Sequence, residues 1–384
     1  MNYRKTHKWP VSFTIILLFL LSGWHAQVLS QGIIIDHEST DITLIPEYAI
    51  NQAKSNLHIA YGHTSHGSQL TTGMNGLVDF ANGGGLGLSL PYDIFEWNNG
   101  GTGGALDLHD YAMGGDCGYY PAWYDNTVTY LDDPDNSDVN VIIWSWCGQA
   151  ADRTEQQMID TYLAPMTALE GLYPNVTFVY MTGHANATGL TGNLHLRNQQ
   201  IRNYCIANNK VLYDFYDIEC YDPDDSYFGD KYVNDDCSYT GGNWAIEWQN
   251  THVEGVDWYN CSAAHTQPLN GNRKAYAAWW LWAILGGWQG TEIAEQETGY
   301  DYVMEISLVN PSLGTASISC SITERLNVTI DIYSCNGRLV ATPFSGSMNA
   351  GDHELFLDDL QPGMYQVVMR SNDNSVSDRL IVLR

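Results

Sequence analysis

Four short apolar runs punctuate the chain: Leu57 to Tyr61, Val139 to Trp146, Val176 to Thr182 and Val211 to Phe215. They are rich in β-branched and aromatic residues, as buried strands are. Between them, apolar positions recur at helical spacing. This predicts helices over 45–55, 68–80, 154–172, 194–208 and 273–285, with Asp152 or Thr154 able to cap the third. Strand alternating with helix predicts an α/β domain over 31–288, a three-layer parallel sheet with helices on both faces. Gly- and Asp-rich stretches at 83–104 and 222–243 interrupt it, at lengths usual for functional loops. Trp279, Trp280 and Trp282 share the last helix with Ala277, Ala278 and Ala283, a pattern that favours core packing over a sugar platform.

The pattern changes after Trp288. Residues 289–302 are polar, carry Glu292, Glu295 and Glu297, and read as a linker. From 303 to 384 short strands alternate with Gly turns. Val328, Ile330 and Ile332 point to one face, Gly337 supplies a turn, and Gly363 precedes a strand over Tyr365 to Met369. A small β-sandwich is predicted. Its pieces, "NPS" at 310–312, "VTIDIYSCNGRLV" at 328–340, "AGDHELFLDDLQPGMYQVVM" at 350–369 and the final "RLIVLR", resemble the type A sorting domain of the type IX secretion system. The resemblance implies a Bacteroidetes-type bacterium, passage across the outer membrane with the type IX machinery as partner, and removal of the module afterwards. The activity is then expected within 31–290.

The N-terminus agrees with export. Arg4, Lys5 and Lys8 precede an apolar stretch from Val11 to Trp24, too short to span a bilayer comfortably, and Val28 and Ser30 suit a cleavage site. A signal peptide is expected over 1–30, with no stable membrane span after processing. Only 16% of residues are charged, but 44 Asp and Glu face 16 Lys and Arg, for a net charge of −28. Such a surface repels phosphate backbones, so nucleic acid is not an expected partner. Thirteen Trp and 25 Tyr are compatible with carbohydrate stacking or with an aromatic core. Eight Cys permit disulfides in an exported chain. Cys220 and Cys237 flank one acidic loop and could pair, as could Cys320 and Cys335.

Ligands of open parallel sheets collect at the carboxyl ends of strands. After the first run comes "GHTSHGSQ", with His63, Ser65 and His66. "SWCGQ" follows, with Cys147 and Gln149. "TGHANATG" carries His184, "DFYDIE" carries Asp214, Asp217 and Glu219, and "CSAAHTQPLNG" carries His265 before the last helix. A Ser on a Gly-flanked strand-to-helix turn is lifted clear of the sheet. Helix N–H groups then face a developing oxyanion. The Ser needs a His to take its proton, and His265 is the expected base.

These blocks resemble the SGNH (GDSL-like) hydrolases, most nearly bacterial members with a "GH-x-S-x-G" first block. The resemblance implies an SGNH- or flavodoxin-like fold, Ser65 as nucleophile, His265 as base and Gln149 as an oxyanion-hole amide. It departs from the family where position 262 is Ser rather than the triad Asp, and where His63 stands in place of an Asp. Ser65 and His265 then act as a dyad, or Asp257, Asp217 or Glu219 orients the imidazole.

The expectation is a secreted esterase that removes acyl groups from polysaccharide. Its catalytic residues are Ser65, His265, Gln149 and His63, with His66, His184, Asp217 and Glu219 contacting substrate, and no cofactor or metal. Alternatives are a polysaccharide lyase or glycosidase using the His and carboxylate rim, or a non-catalytic carbohydrate-binding protein on a degenerate hydrolase fold. A metal held by His63, His66, His184 and His265 with nearby carboxylates is a further reading. The acidic run from Asp222 to Asp236 lacks EF-hand spacing and reads as a solvated loop.

Overall fold

A computed structural model describes residues 32–290 and, in the C-terminal region, 304–308, 312–313, 316–323, 325–334, 339–357, 360–361, 363–371 and 374–383. The signal-peptide expectation, the linker from 291 to 302 and Cys335 lie outside the described residues.

Seven parallel strands form one sheet: β1 (Ile34–Ile35), β2 (His58–Gly62), β3 (Trp97–Asn98), β4 (Leu106–Met113), β5 (Val141–Trp144), β6 (Thr177–Met181) and β7 (Val211–Tyr213). Their order is β1-β7-β6-β5-β2-β4-β3. The four predicted strands are β2, β5, β6 and β7. The apolar-run pattern does not predict β4, because Asp107, His109 and Asp110 interrupt its apolar positions near the sheet edge. Without the two-residue edge strands, the order is β4-β2-β5-β6-β7. The second strand in the chain lies on one side of the first, and the rest lie on the other. That is the 2-1-3-4-5 doubly wound order, with its switch point between β2 and β5.

Successive strand residues enter two different cores, as a sheet covered on both faces requires. Ile59, Tyr61, Val141, Ile143 and Val179 face α1 (Glu47–Asn56), α2 (Ser68–Asn82) and α9 (Pro268–Leu285). Ala60, Ile142, Trp144, Phe178 and Tyr180 face α3 (Ala122–Leu131), α4 (Glu155–Met158), α5 (Ala164–Leu172) and α6 (Asn193–Ala207). The short helices α7 (Phe215–Glu219) and α8 (Trp244–Gln249) and the hairpin of β8 (Ser238–Tyr239) and β9 (Gly242–Asn243) occupy the long connection before α9.

Of the two expected caps, Thr154 starts the helix predicted over 154–172, in a capping box with Gln157, and the helix then widens to a π turn over Ile159–Leu163 before α5. Pro165 lacks the N–H that would close an α-turn there. The Thr161 carbonyl, its acceptor in a regular helix, takes the Trp123 indole N–H instead at 3.2 Å. Helix α9 starts at Pro268, suited to a first turn, and buries Trp279 and Trp282 completely. These rings are core, not a sugar platform.

The C-terminal region forms a three-stranded sheet, β10 (Met304–Leu308), β12 (Ala316–Ile322) and β15 (Gly351–Leu357), and a five-stranded sheet. The latter holds β11 (Ser312–Leu313), β17 (Asn374–Leu383), β16 (Gly363–Ser371), β13 (Leu326–Ser334) and β14 (Leu339–Met348). Ile318, Cys320 and Ile322 of the first share one core with Val328, Ile330 and Ile332 of the second, so the predicted alternation does build a β-sandwich.

Candidate functional site

The switch point between β2 and β5 is built by close contact. The turn from β2 into α2 presses against the end of β5. A Cβ on Gly67 would meet Ser145 Oγ at 2.3 Å and His63 Cβ at 2.4 Å, so only glycine fits. Tyr61 donates its hydroxyl hydrogen to the Gly67 carbonyl at 3.0 Å and pins the turn from below. This brings His66 to the residues that run out of β5. His66 Nδ1 lies 3.2 Å from Cys147 Sγ, and His66 Nε2 lies 3.0 Å from Asp235 Oδ2 in the loop before β8. Two more imidazoles stack on His66: His184 at 3.8 Å between centroids and 2° between planes, and His265 at 4.5 Å and 15°.

A buried polar network holds these segments together. Lys274 of α9 bonds Glu219 Oε1 at 2.6 Å and also Gln69 Oε1, with its ammonium over the Phe215 ring. Glu219 Oε2 accepts the Ala185 N–H at 2.5 Å, which fixes the backbone beside His184. Gln69 Nε2 donates to the Ala264 carbonyl at 2.5 Å, beside His265, while the Gln69 N–H bonds the His66 carbonyl at 3.1 Å. One lysine thus ties together the loops carrying all three histidines. Burial lowers the Lys274 pKa and Glu219 opposes that shift. Burial also lowers the pKa of His184, favouring its neutral form. Burial alone would raise Asp235, but its hydrogen bond with His66 and the nearby imidazoles bring its pKa below the ordinary value.

The predicted residues divide into three groups. Ser65, His66, His184 and His265 share the rim. Ser65 is half-buried in the turn; its carbonyl accepts the Ser68 hydroxyl, and its own hydroxyl has no partner among the described residues. His265 is exposed, with a left-handed φ of 61°, and no carboxylate and no Ser65 hydroxyl bonds its ring among the described residues. His63 and Gln149 lie just behind the rim. His63 is buried between Tyr61 and Tyr111, with Nε2 2.7 Å from Asp110 Oδ1. Gln149 accepts the Cys147 N–H at 3.2 Å and donates to Asp116 at 3.3 Å, so it braces the Cys147 backbone.

Asp217 and Glu219 require correction as substrate contacts. Asp217 pairs with His37 and lies 3.6 Å from Arg202, and Glu219 is fully buried against Lys274. Charge pairing inside the fold has claimed both. Asp257, the third candidate acid, accepts the Val253 N–H in its own loop. The pairing of Cys220 with Cys237 is also corrected: both are free buried thiols, Cys220 beside Tyr216 and Cys237 against the Thr266 hydroxyl. Cys320 is free, and its expected partner Cys335 is outside the described residues. The acidic loop is organised by its own backbone, with Asp222 Oδ1 accepting the N–H groups of Asp224 and Ser226.

Cys147 and Asp235 gain importance only in three dimensions. Asp235 sits in an aperiodic acidic stretch that carries no local signal. Beside Gln149 a shallow cleft is lined by Tyr119, Tyr120, Pro121, Asp152 and Arg153, and both tyrosines are exposed.

Comparison with known proteins decides the C-terminal region. Residues 310–383 match the family model described as the secretion system C-terminal sorting domain. This region is a type IX secretion sorting domain. The sorting domain marks export to the cell surface or beyond and implies engagement of the type IX machinery. No helix among the described residues is long and apolar enough to cross a membrane. No curated protein matches the chain. Among solved structures, the CARDB domain of PF1109 from Pyrococcus furiosus is 15% identical over 22% of this chain and 94% of that one, with a TM-score of 0.17. An FMN-binding beta-glucuronidase from Faecalibacterium prausnitzii L2-6 is 10% identical over 72% of this chain and 40% of its own, with a TM-score of 0.21. An engineered protein is 11% identical over 92% and 100%, also at 0.21. Likeness this slight carries no weight for the catalytic reading.

Proposed function

We propose that the α/β domain is an exported SGNH-like hydrolase that removes acyl groups from polysaccharide, with Ser65 as nucleophile and His265 as base. The observation that carries this reading is the position of Ser65. It lies at the doubly wound switch point, on a strand-to-helix turn whose Ser65, His66 and Gly67 N–H groups have no acceptor among the described residues. Those donors suit the oxyanion of a tetrahedral intermediate. The Gln149 amide keeps one N–H beyond its bond to Asp116 and can add to them.

In this reading Ser65 Oγ attacks the ester carbonyl while His265 takes its proton. His265 then protonates the departing sugar alcohol, and water releases the acyl group by the reverse relay. The pair acts as a dyad, and stacking on His66 steadies the base in place of a carboxylate. No Ser65–His265 hydrogen bond is present among the described residues, and in this reading it forms when substrate binds, as catalytic contacts commonly tighten then. A glycan substrate is supported by the export route and by the exposed Tyr111, Tyr119 and Tyr120 around the rim.

Ser65→Ala is expected to abolish hydrolysis of a chromogenic acetyl ester with the thermal melt unchanged, and a fluorophosphonate is expected to label Ser65. Activity that survives Ser65→Ala but is lost in Cys147→Ala would move the nucleophile to the thiol beside His66.

A further inference from the structure

We propose that His66, His184 and Asp235 form a binding site for one divalent transition-metal ion, zinc by ligand chemistry, at the mouth of the β2/β5 switch point. The sequence favours a metal-free site and offers a metal on His63, His66, His184 and His265 only as a further reading; the structure gives a different set, with Asp235 in place of His63 and His265. The site becomes visible only once the three residues meet, with one ligand atom from each lying within 4.8 Å of the other two. The proposal does not depend on Ser65 being the nucleophile.

The hydrogen-bond wiring selects the ligand atoms. His184 Nδ1 lies 2.8 Å from the Ala185 carbonyl, which can only accept, so Nδ1 carries the proton and Nε2 keeps its lone pair. His66 Nδ1 is taken by Cys147 Sγ. That leaves His66 Nε2, which faces Asp235 Oδ2 at 3.0 Å, while Asp235 Oδ1 is held by the Asp236 N–H at 3.1 Å. Metal-bound histidines are commonly fixed in this way, with the second ring nitrogen donated to a carbonyl or other acceptor. One ring nitrogen of each imidazole and a carboxylate oxygen lie within 4.8 Å of one another; because the His66 and His184 rings are stacked in parallel planes, one ring must turn out of the stack for both in-plane lone pairs to meet a single ion. A proton serves one pair of these atoms; a cation serves all three.

Ligand type and spacing suit zinc. Zinc bonds of about 2.0–2.2 Å place tetrahedral neighbours roughly 3.3–3.6 Å apart, within the range these atoms span. Two imidazoles and one carboxylate would leave a fourth position for water or substrate beside the Ser65 turn, as in catalytic rather than structural zinc sites. Among the described residues, the two other His and carboxylate clusters lack this combination. Asp36, His37 and Asp217 already have Arg202, which lies 3.6 Å from Asp217. His58, Asp107 and Asp138 sit at the opposite end of β2, with Asp138 exposed.

The test is zinc titration of the chelator-stripped full chain by calorimetry, with intact-mass measurement of bound zinc. The wild type is expected to take one zinc at this site with sub-micromolar affinity. His184→Ala and Asp235→Asn, each checked by circular dichroism, are expected to lose that equivalent or bind at least 100-fold more weakly. Asp217→Asn and Ser65→Ala are expected to retain it. Failure of the wild type to bind zinc, or undiminished binding in both ligand variants, would overturn the proposal. A measurement without variants stands beside these: zinc should protect His66 and His184 from diethylpyrocarbonate, and modification unaffected by zinc is equally fatal.

Discussion

Lys274 Nζ lies 2.6 Å from Glu219 Oε1, and neither side chain touches solvent. The pair joins α7 to α9 under the histidine cluster, and its two partners reach out to the backbones beside His184 and His265. Removing one member strands the other charge in the interior, which typically costs about 3–5 kcal/mol. Lys274→Met and Glu219→Gln are each expected to lower stability by that order in urea unfolding. The double variant should recover part of the loss. Single variants as stable as the wild type would show that the pair does not carry the packing assigned to it.

Gly67 is expected to tolerate no side chain. The Cβ of Gly67→Ala would collide with Ser145 and His63, and overpacking of this kind costs about 1–3 kcal/mol. Relief requires the turn to move, and His66 and Ser65 move with it. Ester hydrolysis should therefore fall by at least tenfold in protein that still melts cooperatively. Full activity in Gly67→Ala would mean that the turn geometry is not needed for catalysis.

Asp36 gives a pH signature. Burial, then the charges of Asp217 and Asp214, push its pKa up to about 7. An acid whose folded pKa lies above its unfolded value favours folding when protonated. Its contribution is complete below the ordinary carboxylate range and is lost as pH rises toward about 7. Above that, a half-buried carboxylate stands among like charges. Asp36→Asn keeps a side-chain oxygen to cap the Glu38 N–H. It should raise the melting midpoint at pH 8 and confer little or no gain at pH 4. A benefit that shrinks as pH rises contradicts the assignment.

Much of the fold was legible because its signals are local. The β2, β5, β6 and β7 runs each keep an unbroken apolar stretch, at 59–61, 141–144, 178–181 and 211–213, as strands covered on both faces must. The start of the 154–172 helix was legible to within Asp152 or Thr154 as its cap, and the structure selects Thr154. By contrast, β4 hides behind Asp107, His109 and Asp110, whose partners are His58, Tyr130 and His63 on other elements. The π turn before α5 follows from Pro165, but its acceptor is filled by Trp123, more than thirty residues away in the chain.

The sequence alone determined the alternation of strand and helix, the aromatic core of α9 and the sorting domain. Each rests on periodicity or on contiguous motifs within a few turns of chain. It also brought Ser65, His66, His184 and His265 into consideration, since each follows a strand or precedes a helix. Only the tertiary structure decided which groups meet. His66, Cys147, His184, Asp235 and His265 come from five separate segments, and the β2–β5 pairing and the Lys274 network bring them together. Asp217 and Glu219 look the same in sequence as any rim carboxylate, but His37 with Arg202 holds the first and the buried Lys274 holds the second. Packing and charge compensation are sums over the whole fold, so no local pattern reports their outcome.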